Sequence, residues 1–201
     1  ILEQQATRML RDGKARALVE NFAGQWLFLR DVETVTPEEG NFDDNLRAAF
    51  IQETQLAIAN MISEDIPVTQ LLDANYTFLN EKLAKHYDIE GVKGSYFRKV
   101  QLADDSPRRG LLGHGSILPV PSTASRTSPV VRGSWILENL LSAPVPAPPP
   151  GVETTLDGDG STVITTSVRE RLEAHRADPV CASCHAVIDP VGFARENFEL
   201  V

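Results

Sequence analysis

Apolar side chains recur at helical spacing through most of the chain, and strand-like alternation is rare. Leu2, Ala6, Met9 and Leu10 open with that spacing, and over residues 15–29 Leu18, Phe22, Trp26 and Leu29 fall on one stripe. Asn41 or Asp43 can begin a longer helix whose shared face is Leu46, Phe50, Ala57, Ile58, Met61 and Ile62. Glu53 and Glu64 are placed largely off that face, and Pro67 stops the pattern. Asn75-Tyr76-Thr77-Phe78-Leu79 leads into a helix over residues 80–87 with Asn80 as its N-cap. After the Gly91–Gly94 break, residues 97–102 read as a short extended piece, whereas the glycine-punctuated stretch 110–118 fits neither period.

Further along, Ser128 followed by Pro129 is a helix start, and residues 129–141 carry Val131, Trp135, Leu137, Leu140 and Leu141. Residues 144–150, five of them proline, predict a stiff extended segment, and 151–166 are polar and glycine-rich. Ser167-Val168-Arg169-Glu170 fits a capping box that starts a helix running to about Ala177, where Asp178-Pro179 ends it. Asp189-Pro190-Val191-Gly192 reads as a turn. The expected fold is mainly α. It comprises a helical module over residues 1–150, ending in the proline-rich linker, and a small second module over 151–201 that holds both cysteines.

Composition narrows the function classes. The chain has 201 residues, 42% of them hydrophobic, enough for a sizeable core. Its formal charge of −9 argues against nucleic acid, which needs clustered Lys and Arg, and no apolar run approaches a membrane span. Ile1 in place of Met, opening directly into a helical pattern, suggests a piece of a longer protein lacking regions before Ile1 and after Val201.

The two cysteines, Cys181 and Cys184, lie together in Cys181-Ala182-Ser183-Cys184-His185, so a disulfide framework is excluded. Three readings stand. Cys-x-x-Cys-His is the attachment signature of haem c, in which two thiols add to the haem vinyl groups and the adjacent His becomes the proximal iron ligand. One helical turn between the sulfurs presents both along a haem edge. A dithiol redox site is the second reading, although it normally lies in an alternating strand–helix setting that is missing here. Zinc is the third, with His175 as an added ligand, but no second ligand pair at the usual spacing accompanies it.

Beyond the motif, six blocks occur in a familiar order: NFAGQWLFLR, LLDANYTFLNEKLAKHY, RRGLLGHGSIL, SRTSPVVRGSWILENLL, the proline stretch, and RLEAHRADPVCASCHAVIDPVGFARENFE. Together they resemble a family of large multi-domain bacterial proteins, abundant in planctomycetes, with c-type cytochrome-like modules of unknown function. The resemblance implies a periplasmic or extracellular protein with covalent haem at Cys181, Cys184 and His185, its partner a redox protein or other domains of the same polypeptide.

The sixth iron ligand separates an electron carrier from an enzyme with an open iron. His175 and His114 are the candidates for that distal position, with His86 behind them, while Met9 and Met61 lie far upstream. Val187, Ile188, Val191, Phe193 and Phe198 are candidates to wall the haem, and Arg126, Arg132 and Arg195 to meet its propionates. An acidic loop at 156–161 lacks the calcium-binding positions, and Ser116 or Ser122 with His114 lacks a nucleophile elbow. The leading expectation is electron transfer by covalent haem c. The alternatives are a haem enzyme with an open iron site and a non-haem scaffold with structural cysteines or zinc.

Overall fold

Asp43 begins the longest helix: its carboxylate accepts from the Leu46 amide at 2.8 Å, as the N-cap pattern predicts. A computed structural model of the chain describes residues 1–36, 42–119, 128–146 and 167–198. The principal helices are α1 (Leu2–Leu10), α2 (Asp44–Ser63), α3 (Glu81–His86), α4 (Pro129–Asn139), α5 (Val168–His175) and α6 (Pro179–Phe193). A two-stranded antiparallel ribbon joins β1 (Tyr76–Leu79) to β2 (Arg98–Gln101), with Tyr76 opposite Gln101. The fold is mainly α. The expected starts at Asn80, Ser128 and Ser167 are all present, the last as a complete capping box. Arg126, Ser122, the acidic loop at 156–161 and the linker beyond residue 146 lie outside the described residues.

Two compact units form, residues 1–127 with 197–201, and residues 128–196. In the first, Leu46, Ala49 and Phe50 of α2 pack with Leu79, Leu83, Ala84 and Tyr87. Glu53 is not off this face but 1% exposed, three residues beyond Phe50 and so on the same side of the helix. Two hydroxyls make that burial tolerable: Thr77 donates to one carboxylate oxygen at 2.5 Å and Tyr87 to the other at 2.6 Å. The expected stripe over 15–29 is displaced too. Leu18 and Phe22 are exposed while Val19, Ala23 and Leu27 are buried. A π-helical turn over Val19–Ala23 adds a residue to the period and rotates the following side chains.

In the second unit α4 packs against α6. A module boundary at 150 would have assigned residues 129–141 to the first part of the chain; their helix folds instead with the cysteine-bearing segment. Two glycines permit the approach. A β-carbon at Gly192 would stand 1.8 Å from the Pro129 carbonyl oxygen, and one at Gly133 would stand 2.3 Å from that of Ile188. The predicted turn at Asp189–Gly192 is helical, because α6 runs on through Pro190 to Phe193. Pro190 forfeits one backbone hydrogen bond, to the carbonyl of Ala186, but Ala186 is exposed to water. Burial of Ile188 and Gly192 against α4 then outweighs the local preference.

Candidate functional site

Asp178-Pro179 does not merely close α5; it opens α6. The Asp178 carboxylate accepts from the Val180 amide at 2.8 Å and Pro179 takes the first helical position, where a missing N–H costs nothing. Within α6, Cys181, Cys184 and His185 stand three and four residues apart and therefore share one face. The same stripe continues through Ile188, Asp189 and Gly192, all buried. Both cysteines are free and partly exposed, and Val180 and Val187 leave apolar surface open on the same helix. A flat apolar group held by two thiols and one imidazole needs this arrangement: reactive atoms on one face and unburied apolar surface beside them.

The geometry around His185 is specific. His185 Nδ1 lies 2.8 Å from Asp189 Oδ1, and because a carboxylate only accepts, the ring donates through Nδ1–H. A neutral ring donating through Nδ1 would keep its Nε2 lone pair for a metal. The Asp189 side chain is 0% exposed. Its second oxygen has no hydrogen-bond partner among the described residues; Arg176 Nε comes to 3.6 Å, close enough for charge attraction but not for a hydrogen bond. His175, at the end of α5, meets the His185 ring edge to face, with centroids 4.9 Å apart. The structure thus brings together His175, Arg176, His185 and Asp189. Arg176 and Asp189 were not among the sequence candidates, although Asp189 lies one helical turn beyond His185 and a longer helix would have placed it there.

Other sequence candidates serve different ends. Arg132 is 1% exposed and donates to the Arg195 carbonyl at 3.0 Å and to Glu196 at 3.1 Å, a buried tie between α4 and the chain after α6. Burial pulls its pKa down, opposed by the charge of Glu196. Phe193 lies under the Arg169 guanidinium, 4.1 Å from ring to charge centre, and Ile188 is core, whereas Val187 is exposed. Phe198 belongs to the first unit, with Arg108 over its ring at 5.1 Å.

His114 is buried in the first unit, where its Nδ1 lies 2.9 Å from the Thr54 hydroxyl, itself 2.7 Å from that of Ser116. His86 packs its ring against Phe50 at 5.2 Å, and burial, helped by the Arg108 charge, holds its pKa below the usual imidazole value. Next to it Tyr87 accepts from the Gly115 amide at 2.7 Å while donating to Glu53. Burial and then the Glu53 charge push the Tyr87 pKa well above the ordinary phenol value. These groups form a satisfied polar core rather than an open site.

Among the described residues no three His, Cys, Asp or Glu side chains cluster as a metal-ion site, and no helix is long and apolar enough to cross a membrane. No curated protein and no solved structure matches the chain. Two family models do, and they leave only residues 90–107 unmatched. Residues 1–89 match PSD4, a protein of unknown function (DUF1592), and residues 108–201, which include the whole Cys181–His185 motif, match PSCyt3, a protein of unknown function (DUF1588).

Proposed function

We propose that the chain carries one covalently attached haem c and passes electrons as a module of a larger extracytoplasmic redox polypeptide. The observation that carries this reading is the one partly exposed face of α6 on which Cys181, Cys184 and His185 stand together while Asp189 holds the imidazole. Cys181 and Cys184 would hold the haem as thioethers, each sulfur bonding one vinyl carbon and the thiol hydrogen going to the other, and His185 would offer Nε2 to the iron. The group supplies a one-electron couple that no side chain here provides. Two matched family segments agree with a multi-domain polypeptide, and the name PSCyt3 hints at a cytochrome-like module. A periplasmic or extracellular location accompanies the reading. His175, whose ring meets that of His185 edge to face at 4.9 Å, would stand in this reading as a neighbour of the proximal imidazole.

The test is maturation of the full chain with cytochrome c assembly machinery, followed by a pyridine haemochrome spectrum and peptide mass analysis. The expected result is a haem-sized increment on the peptide holding Cys181 and Cys184, lost when both are changed to Ala. Bare thiols after maturation, or zinc in place of iron, would remove the proposal. Added cyanide or carbon monoxide then separates the carrier, whose saturated iron leaves the spectrum unchanged, from an enzyme with an open iron.

A further inference from the structure

A carboxylate that is fully shielded from water and makes one hydrogen bond is expensive to keep. Asp189 is such a group: its side chain is 0% exposed, Oδ1 is bonded to His185 Nδ1 at 2.8 Å, and Oδ2 has no hydrogen-bond partner among the described residues. Arg176 stands 3.6 Å from Oδ2 with its side chain 28% exposed, so solvent weakens the formal countercharge nearest that oxygen among the described residues. Serine or asparagine would orient an imidazole equally well at lower cost. What neither supplies is negative charge directed along the ring toward Nε2.

We infer that Asp189 is a positioning and tuning residue for the haem, holding His185 in the Nδ1–H tautomer and making it a strongly electron-donating ligand that favours ferric iron. The inference rests on the haem reading above and deepens it. Among the described residues the buried carboxylate has the imidazole hydrogen and, 3.6 Å off, a partly exposed guanidinium; a metal on Nε2 would add positive charge to the ring and improve its compensation. Hydrogen bonding from a ligating histidine to a carboxylate raises the basicity of the ligand and fixes its tautomer. A donor of that kind stabilises the oxidised metal more than the reduced one, so the module sits low on the potential scale for its ligand set.

Two measurements test this on the full chain. In the haem-loaded protein, Asp189→Asn keeps the side-chain size and an acceptor oxygen but removes the charge. The reduction equilibrium is expected to move at least tenfold toward ferrous, which is about 59 mV upward for one electron. The haem stays attached. In the chain prepared without haem, 15N NMR of the His185 ring is expected to show the Nδ1–H tautomer, and Asp189→Ala to return it to the mixture of a free imidazole. Arg176→Gln, at a partly exposed site, moves the potential the opposite way by leaving the carboxylate less neutralised, and it stands in if the Asp189 variants fail to fold.

The outcomes separate cleanly. Haem attached with an unmoved potential in both charge variants refutes the tuning role and leaves the haem reading standing. An Nε2–H ring in the parent chain refutes the positioning role, because a purely structural Asp189 would leave the tautomer to chance. A chain that never takes up haem overturns both proposals together.

Discussion

Replacing Gly192 with Ala sets two known effects against each other. In a helix interior the change ordinarily stabilises by about 1 kcal/mol, since Gly surrenders more backbone freedom on folding. Here the new methyl would be placed 1.8 Å from the Pro129 carbonyl oxygen and 2.6 Å from its carbonyl carbon, both backbone atoms with no rotamer to escape into. Relief requires α4 and α6 to part by well over an ångström. Overpacking of this kind costs about 1–3 kcal/mol when side chains can adjust, and backbone opposition puts it at the upper end. Parting the helices also uncovers Ile188, now 4% exposed, whose full burial is worth about 1.5–3 kcal/mol. The net expectation is a loss of about 2–3 kcal/mol, opposite in sign to the propensity effect.

Urea denaturation followed by circular dichroism reads this directly as a lower midpoint at unchanged slope. Gly13→Ala is the control: nothing stands within 4 Å of the new carbon, so that variant should be neutral or slightly more stable. A Gly192→Ala protein as stable as its parent, or more so, would show that α4 and α6 do not meet at backbone contact. The close helix contact that buries Asp189 would fall with it.

Glu53→Ala strands the buried hydroxyls of Thr77 and Tyr87, and at about 1–3 kcal/mol for each unsatisfied group the loss should exceed about 3 kcal/mol, with Glu53→Gln clearly milder in the same denaturation assay. Glu81 has its pKa lowered from 4.5 to about 2, first by the Gly94 amide and then by Lys85. A depressed carboxylate contributes stability that is complete above its unfolded value and fades as pH falls toward the folded one. Stability measured between pH 4.5 and about 2 should therefore decline less steeply in Glu81→Gln than in the parent.

Local signals found the helix starts and the cysteine motif because those features are decided within four or five residues. Asp43, Asn80, Ser128 and Ser167 each accept from an amide three residues on, a contact the sequence spacing specifies by itself. What escaped was decided at a distance. Glu53 reads as surface until Thr77 and Tyr87 arrive from β1 and from the end of α3 to bond it. Leu18 and Phe22 read as core, yet both are exposed beside the π-helical turn over Val19–Ala23, which shifts the buried stripe to Val19, Ala23 and Leu27.

The Asp-Pro step at 189–190 is the consequential case, since as a turn it would have carried Asp189 away from His185. Gly133 and Gly192 reverse that outcome, because two residues without β-carbons let α6 lie against α4, and the buried face gained there sustains the helix past Pro190. The helix in turn places Asp189 one turn beyond His185, at hydrogen-bond distance. Replacing either glycine should for that reason disturb the imidazole tautomer as well as the stability, even though neither residue touches the motif.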